Sequence, residues 1–511
     1  MVHPSILSKT IDPTTRLETR EAPDFFDDLN LDQIVAAVTA GKEEYDLKPF
    51  FHTALHDVDT VAYRQEVVRD LENGETFHHV KSFENGMRSV RAHISQADKL
   101  YYRYQKEAWF LDAVQTYCDS VLALSQGLAA AEIASRGLSA FRDHLKEYSG
   151  SALFQTLLND TKRLRADLSA IQYCLLIRGK SVEVRDYYSE ADYSAEVIAT
   201  FAKFQHGVTK DYRINFREEP EMNHVEAQIL DFVALLNPQI FRRLDEFCAK
   251  NGAFADETIT VFDREVQFYV AYLEYVRMLE RAGLSFCYPE VSDTRKEIYS
   301  RNGFDAALAT KLLKDKAPIV CSDFYLQGAE RIIVVSGPNQ GGKTTFSRAF
   351  GQLHFLASLG LPVPGSAARL FLFDGLFTHF ENEENIKNLR GKLHDDLVRI
   401  RDILNRATGN SILIMNEIFT STTLKDAVFL GKQIVEEVAR LDSLCVYVTF
   451  IGELSTTSEK TVSMVSTVDS ENPTVRTFKV LRRPFDGLAY ALSIAEKYRM
   501  TYEHVKERIP S

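Results

Sequence analysis

A glycine-rich segment in the last third of the chain constrains the fold more than any other feature. Its residues are Gly337, Pro338, Asn339, Gln340, Gly341, Gly342, Lys343, Thr344 and Thr345. They contain the spacing Gly-x-x-x-x-Gly-Lys-Thr of a phosphate-binding P-loop. The apolar run before them is typical of a buried strand, and apolar residues recur at helical spacing after them. Because a chance glycine-rich turn needs no such flanks, we predict a strand, a phosphate-binding loop and a helix in this order.

The residue types within this loop predict the ligand that it holds. Backbone N–H groups and the N-terminus of the following helix surround a polyphosphate in such loops. Lys343 is expected to reach the β- and γ-phosphates, and the Thr344 hydroxyl is expected to ligate Mg²⁺. The predicted cofactors are therefore ATP and Mg²⁺, bound by residues 337–345.

A second buried strand, Ser411–Met415, is predicted to present the groups that hydrolysis requires. It is followed by Asn416 and Glu417. ATPases with a P-loop hold the Mg²⁺ shell with an acidic group on a neighbouring strand tip and orient the attacking water with another. Glu417 keeps a carboxylate for the general base. Asn416 can accept a hydrogen bond from a metal-bound water but brings no charge. A plain core strand with a polar end is the alternative.

A third strand, Leu444–Val448, is followed by Thr449 and Phe450. In many such ATPases a polar residue at this strand tip senses the γ-phosphate. Phe450 cannot form a hydrogen bond, so we expect it to be a packing residue. Thr449 is then the polar candidate at this tip.

Composition places the chain among globular proteins of about two or three domains. Of its 511 residues, 45% are apolar and 26% are charged, and the formal net charge is −12. This charge argues against a uniformly basic nucleic-acid-binding surface but leaves room for a local basic channel. The six cysteines lack metal-binding or Cys-x-x-Cys spacing, which favours buried thiols. No apolar run approaches the roughly 18 residues of a membrane helix, and the N-terminus lacks the layout of a signal peptide, so we expect a cytoplasmic protein without membrane contacts.

The pattern along the chain predicts three regions. Residues 1–45 are typical of a loosely ordered arm, residues 46–300 of an all-α domain, and residues 301–511 of an α/β domain in which apolar strands alternate with helices. Residues 173–187 interrupt the helical region as a β-hairpin around a glycine turn. Helices are expected near 98–126, 130–148, 151–172, 190–206, 222–250, 260–283 and 501–509.

Three segments resemble the ATPase domain of MutS-type DNA mismatch-repair proteins. GPNQGGKTT at 337–345, MNEIFTSTTLKDA at 415–427 and VTFIGEL at 448–454 are similar to the family's GPNMGGKST, its MDE segment and its Thr-His pair before Glu-Leu. Upstream, the segment that contains Ile319 resembles the one in which the family packs adenine, with Ile319 in place of an aromatic residue. Residues 57–65 resemble the start of the family's helical lever. The resemblance covers residues 50–511 and is most specific in 331–455.

The resemblance implies an ABC-type P-loop ATPase domain with an N-terminal all-α lever domain that carries a small β-hairpin. It also implies a homodimer with composite ATP sites, in which each P-loop meets a signature segment of the other subunit. That segment aligns with Asn385–Lys392, where Gly391 and Lys392 replace the usual Ser-Thr pair; whether Lys392 reaches a γ-phosphate across the interface stays open. Asn416 replaces the family's Asp, and Phe450 replaces its His. These departures put fast hydrolysis in doubt more than ATP binding.

The N-terminal side departs further from the family. Mismatch-repair members carry a mismatch-reading domain with a Phe-x-Glu wedge, for which this chain has no room; the match at Phe216–Glu218 lies between predicted helices, and we take it as chance. The hairpin at 173–187 resembles a shortened clamp. Basic residues are grouped at Lys162, Arg163, Arg165, Arg178, Lys180, Arg185, Arg242, Arg243, Arg482 and Arg483. They are either solvated helix faces or contacts to DNA phosphates, which would follow backbone and shape rather than sequence.

Hypotheses of different classes follow for the function. The first is a MutS-like ATP-dependent protein that hydrolyses ATP slowly and binds double-stranded, mismatched, branched or recombining DNA without a mismatch-reading domain. The second is a nucleotide-switched dimeric scaffold with little turnover and no DNA binding, which the acidic net charge, Asn416 and Phe450 favour. The third is a P-loop ATPase that powers a bound partner, as transporter ATPases do.

Overall fold

The computed structural model describes residues 4–9, 18–179, 181–190, 222–381, 391–469, 475–485 and 500–506. These residues form two compact units. We call the one from residues 1–73, 133–140 and 264–511 the sheet unit, and the one from residues 74–132 and 141–263 the helical unit. The boundaries predicted at residues 45 and 300 do not coincide with the edges of these units, and the division into 1–45, 46–300 and 301–511 stays a prediction.

The first half of the chain is mostly helical. Its elements are α1 (Phe25–Asp28), α2 (Leu31–Thr39), α3 (Lys48–His52), α4 (Val58–Glu72), α5 (Gly74–Lys99), α6 (Arg103–Ala130), α7 (Arg136–Gly150), α8 (Ala152–Ser169), β1 (Tyr173–Arg178), β2 (Ser181–Asp186), α9 (His224–Leu236), α10 (Pro238–Lys250) and α11 (Glu257–Glu280). This agrees with the prediction of a helical N-terminal region.

Strands and helices alternate in the second half. The elements are β3 (Phe286–Cys287), β4 (Glu290–Ser292), β5 (Ile298–Gly303), α12 (Ala306–Lys314), β6 (Ser322–Leu326), β7 (Ile332–Ser336), α13 (Lys343–Ser358), β8 (Val363–Pro364), β9 (Ala367–Phe371), β10 (Leu376–Phe380), α14 (Lys392–Arg406), β11 (Ile412–Asn416), α15 (Leu424–Leu441), β12 (Leu444–Val448), β13 (Thr461–Val468), β14 (Arg476–Arg482) and α16 (Tyr502–Lys506). Helices combined with mixed sheets are what an α/β domain requires.

The helical unit is built around the long helices α5 and α6. Helix α6 buries Leu111, Val114, Tyr117 and Val121, which recur at the spacing of one helix face. The hydroxyl of Tyr117 lies 3.0 Å from that of Tyr148 on α7, so this buried pair satisfies polar groups within the core. The hairpin predicted at 173–187 is confirmed, because β1 and β2 pair in antiparallel fashion.

Three helix predictions are wrong in their bounds, among them the one at 130–148, which begins only at Arg136, and one prediction cannot be compared. Residues 222–250, predicted as one helix, form α9 and α10, because Pro238 cannot continue a helix and instead occupies the first turn of α10. The helix predicted at 98–126 begins only at Arg103, since α5 extends to Lys99. The helix predicted at 190–206 lies outside the described residues.

The sheet unit contains, in its described part, a mixed sheet of six strands in the order β10-β11-β12-β7-β13-β14. All its strands are parallel except β14, which runs antiparallel to β13. Strands β7, β11 and β12 are buried along their whole length, because α14 and α15 cover one face of the sheet and α13 the other. Parallel strands share one carboxyl edge, so the segments that follow β7, β11 and β12 meet there.

Three further features concern membrane helices, cysteines and clusters of metal-binding side chains. No helix in the described ranges is long and apolar enough to cross a membrane. The six cysteines all lie in the described part of the chain and have free thiols. No group of three or more His, Cys, Asp or Glu side chains that could hold a metal ion occurs among the described residues.

Candidate functional site

The glycine-rich loop connects β7 to α13 at the carboxyl edge of the sheet. Gly337 has φ of +120° and Gly342 has φ of +92°, a backbone region that side chains rarely adopt. A Cβ added at Gly337 or Gly341 would lie 2.5 Å from the hydroxyl oxygen of Ser466 on β13. A Cβ at Gly342 would lie 2.8 Å from the backbone oxygen of Phe478 on β14. Glycine is therefore required here by close approach of the neighbouring strands as well as by backbone conformation.

Lys343, the first residue of α13, is folded over this loop and is only 3% exposed. Its ammonium nitrogen donates to the backbone oxygen of Gly337 at 3.0 Å, to that of Pro338 at 3.3 Å and to Oδ1 of Asn339 at 3.1 Å. Oε1 of Glu417 lies 3.3 Å from the same nitrogen. The three ammonium protons thus have three acceptors within the loop, Glu417 adds an ion pair, and the cation is held at the mouth of the loop.

The groups predicted on β11 lie at the same edge. Asn416 is the last residue of β11 and is 7% exposed, and its Oδ1 is buried without a hydrogen-bond partner among the described residues. Glu417 follows with φ of +52°, and its N–H donates to the backbone oxygen of Val448 at 2.9 Å. This bond between neighbouring strand ends holds an uncommon backbone conformation and fixes the root of the Glu417 side chain beside Lys343.

The third predicted strand tip lies next to the loop strand. The N–H of Thr449 donates to the backbone oxygen of Val335 at 2.9 Å, and its hydroxyl accepts from the N–H of Ile451 at 2.9 Å. Thr449 is buried, as a polar residue that caps a strand end. Phe450, expected to be a packing residue, is instead 47% exposed. That expectation was wrong because the Phe450 side chain is exposed, although Thr449 and Ile451 on either side of it are buried.

A cleft of about 490 Å³ lies beside the loop within the sheet unit. Residues Gln340–Thr345 and Glu417 form its polar side. Leu308, Leu312 and Ile319 contribute an apolar wall, so the structure does bring Ile319 to the loop. Phe478 completes the lining and is 53% exposed, with φ of +58°. An apolar slot beside a glycine-rich loop is the shape that a base with attached phosphates would fill.

Phe478 was missed by sequence reasoning. It lies more than a hundred residues beyond the loop, within β14 and outside the recognisable motifs. Only the pairing of β14 with β13, and of β13 with β7, brings it to the cleft. No periodicity in the sequence marks such a residue, because it lies where the register of β14 against β13 shifts, and that shift depends on the partner strand.

The proposed signature segment, Asn385–Lys392, lies only partly within the described residues. Residues 385–390 lie outside the described part of the chain, whereas Gly391 precedes α14 and Lys392 begins it. The Lys392 ammonium pairs with the carboxylate of Glu381, which directly follows β10, and the Thr420 hydroxyl donates to that carboxylate at 2.8 Å. The bonds from Lys392 and Thr420 lower the pKa of Glu381. Glu381 was not predicted, and it ties the start of α14 to the loop that follows Glu417.

The basic residues of the helical unit are mostly exposed, but several have acidic partners. On α8, Lys162, Arg163 and Arg165 are exposed, and Arg165 pairs with Asp112. In the same unit, two more arginines have carboxylate partners, at 2.8 Å for Arg185 with Glu183 and at 2.7 Å for Arg243 with Asp167. Two other predictions, the basic residue Lys180 and the chance match at Phe216–Glu218, lie outside the described residues.

Arg482 belongs instead to the sheet unit. It lies 2.5 Å from the carboxylate of Glu330 and stacks over Tyr325 with its guanidinium carbon 4.1 Å from the ring centroid. This packing gives Arg482 a structural role, unlike the exposed residues of α8.

Parts of this chain are similar in sequence to known proteins. Residues 333–507 match the family MutS domain V. Over 209 residues, 39% of this chain and 25% of the relative, the chain is 31% identical to an endonuclease MutS2 of Gemmatimonas aurantiaca. Over 279 residues, 53% of this chain and 30% of the relative, it is 24% identical to a DNA mismatch repair protein MutS of Chlorobium phaeovibrioides. The matched parts thus span between a quarter and a third of these relatives.

Proposed function

The chain belongs to the MutS family, and from this premise we propose that it is an ATP-dependent DNA-binding protein with slow ATP hydrolysis. The observation that carries the proposal is the pairing of Lys343 and Glu417 beside a glycine-rich loop at one cleft, with Asn416 directly before Glu417 at the end of β11. The general test compares binding of junction, flap and linear duplex DNA with and without Mg-ATP. Binding of nucleotide and of at least one DNA form supports the proposal; binding of neither contradicts it.

The residues at the cleft fit ATP and Mg²⁺. The Lys343 ammonium lies at the mouth of the loop, where phosphate oxygens could replace the protein oxygens that it now contacts. The buried Oδ1 of Asn416 lacks a partner among the described residues, and a metal-bound water would satisfy it. Residues 337–345 would hold the phosphates, Thr344 with Asn416 the metal shell, and Ile319 the adenine. Bound Mg²⁺ supplies positive charge that neutralises the phosphate oxygens.

Glu417 is the residue that we assign to catalysis. Its carboxylate lies at the cleft beside Lys343, where it would orient a water and accept its proton. Asn416 contributes no charge at the position where the family has an Asp, so the metal shell is held more weakly. This difference supports slow hydrolysis rather than loss of nucleotide binding.

Phe478 is expected to stack against the adenine base. Replacing Phe478 by Ala should weaken ATP binding by about threefold to tenfold, because a ring contact of this kind contributes on the order of 1 kcal/mol. Inorganic tripolyphosphate, which has no base, should bind equally well to both proteins. Calorimetric titration with each ligand measures this difference. Phe429→Ala is the matched control, since Phe429 is an exposed ring on α15 outside the cleft. An equal loss of affinity for ATP and for tripolyphosphate would show that Phe478 acts through the loop and not through contact with the base.

We also propose a homodimer with composite ATP sites. Family membership and the position of Lys392 at the start of α14 support this arrangement. Lys392 is paired with Glu381 in its own subunit, so that ion pair would have to open before Lys392 reached a phosphate of the partner subunit.

DNA phosphates are the proposed partners of the basic residues in the helical unit. Charge reversal at Arg163, Arg165 and Lys180 should weaken binding to every DNA sequence alike. It should also flatten the dependence of log affinity on log salt by about one for each phosphate that the variant no longer neutralises. Titrations of one duplex at several salt concentrations measure both effects. Reversal at Arg401 and Arg440, exposed arginines of the sheet unit, is the control and should change neither.

A nucleotide-switched scaffold without DNA binding is the second candidate. The acidic partners of Arg165, Arg185 and Arg243 favour it, because paired arginines are less available to phosphate. Absence of DNA binding at low salt, on linear and branched DNA and with or without ATP, would establish this alternative.

A further inference from the structure

An ion pair occupies the centre of the proposed nucleotide site. The Lys343 ammonium lies 3.3 Å from Oε1 of Glu417, and the side chains are 3% and 28% exposed. The cation proposed to bind phosphate and the carboxylate proposed to act as base are therefore each other's counter-ion. Neither can take up its proposed role while this pair remains closed.

The charged side chains that line the cleft determine which carboxylate can balance a cation there. Among the described residues that line the cleft, Lys343, Glu417 and Asp305 are the charged types. The Asp305 carboxylate is used elsewhere: its Oδ1 accepts from the N–H of Leu308 at 3.0 Å and from the Gln352 amide at 2.8 Å, and burial raises its pKa. Asn416 is neutral. Glu417 is thus the carboxylate at the cleft that is available to balance a cation.

Entry of a nucleotide must change the partner of Glu417. Phosphate oxygens attract the Lys343 ammonium, which leaves the Glu417 carboxylate facing a polyanion. The backbone of Glu417 is held by its bond to Val448, so its carboxylate stays within one side-chain length of this edge of the sheet. Like charges a few ångströms apart in a partly buried site repel strongly, so Glu417 needs a new cation.

We propose that Glu417 exchanges its counter-ion, from Lys343 before nucleotide binds to the Mg²⁺ shell afterwards, and thereby makes nucleotide binding depend on Mg²⁺. This inference rests on the proposed function and adds a specificity to the same site: the cleft selects the Mg²⁺ complex of a nucleotide over the metal-free polyanion. Because Asn416 is neutral, Glu417 is the source of negative charge for the metal shell. Binding of the Mg²⁺ complex therefore depends more strongly on Glu417.

The test measures binding of ADP, so that hydrolysis plays no part. The parent protein and Glu417→Gln are titrated with ADP by calorimetry, once with Mg²⁺ and once with a chelator. Without metal, Glu417→Gln is expected to bind ADP about tenfold more tightly than the parent, because the repulsion is gone and Lys343 is released from its counter-ion. With Mg²⁺ the gain in ADP affinity is smaller, because the variant also lacks the carboxylate that would contact the metal shell. The factor by which Mg²⁺ increases affinity therefore falls in the variant.

Controls make the outcome decisive. Glu453→Gln removes an exposed carboxylate on the short 3₁₀ segment Gly452–Thr456, outside the cleft, and should leave both affinities unchanged. Glu417→Ala should reproduce the metal-free gain if the Gln variant folds poorly, which circular dichroism reports. A parent that binds Mg-ADP, together with a Glu417→Gln variant that shows no metal-free gain, would overturn the counter-ion exchange alone. A parent that binds no nucleotide under either condition would overturn the proposed function as well.

Discussion

Replacing Glu417 by Gln is expected to lower the rate of ATP hydrolysis by about a hundredfold or more, the effect of losing a general base. The structure gives the reason for so large an effect. Glu417 directly follows β11 at the cleft, and its neighbour Asn416 is neutral. Glu381, which directly follows the adjacent strand β10, is already bound to Lys392 and Thr420. Among the described residues that line the cleft, the other carboxylate, Asp305, is buried and already bonded to Gln352. Phosphate release at saturating Mg-ATP measures the rate.

The same variant tests the proposed assembly. Because it should bind ATP without consuming it, sedimentation of Glu417→Gln with Mg-ATP should show a dimer if each site needs both subunits. A monomer with and without Mg-ATP would argue against composite sites. Hydrolysis at the parent rate would show that another group orients the water, and Glu381 would then be the first residue to examine. Glu453→Gln serves again as the control with an unchanged rate.

Replacing Lys343 by Ala is expected to weaken binding of Mg-ATP and Mg-ADP at least tenfold, or by about 1.4 kcal/mol or more. The ammonium is the cation at the mouth of the loop, and it contacts Gly337, Pro338, Asn339 and Glu417 at once. Its removal takes away the attraction for phosphate and leaves Glu417 without a counter-ion beside the incoming polyanion. Calorimetric titration with each nucleotide measures the loss.

The control for this variant is a lysine of the same unit. Lys432→Ala removes an exposed ammonium on α15 that does not line the cleft, and should leave nucleotide affinity unchanged. Thermal unfolding monitored by circular dichroism separates a binding defect from a folding defect. Unchanged nucleotide affinity in a folded Lys343→Ala protein would show that this loop is not the nucleotide site.

Much of the site could be predicted because its chemistry is local. A β-branched run, a glycine-rich turn and an apolar helical stripe specify β7, the loop and α13 through short-range backbone preferences and burial. Strand β11 with Asn416 and Glu417 at its end follows from the same kind of pattern. The hairpin of β1 and β2 is marked by its glycine turn. The helix boundary at Pro238 is also a local signal, although the prediction of one helix over 222–250 did not use it.

Other parts of the site depend on contacts between segments that are distant in the chain. Phe478 reaches the cleft because β14 pairs with β13, and β13 pairs with β7. Ser466 explains why Gly337 and Gly341 admit no side chain. Glu381 meets Lys392 and Thr420 because β10 adjoins β11 and α14 begins at the same edge. No local pattern encodes such neighbours, since strand order is set by how the whole sheet packs.

Local sequence was enough to specify the kind of loop, its flanking elements and the residue types that suit phosphate, metal and water. These properties depend on backbone conformation and side-chain chemistry within a few residues of each other. The tertiary structure alone decided that Lys343 and Glu417 form an ion pair, that Asn416 keeps a buried oxygen without a partner among the described residues, and that Phe478 lines the cleft. Those facts depend on distances between strand ends, which arise only when the sheet assembles.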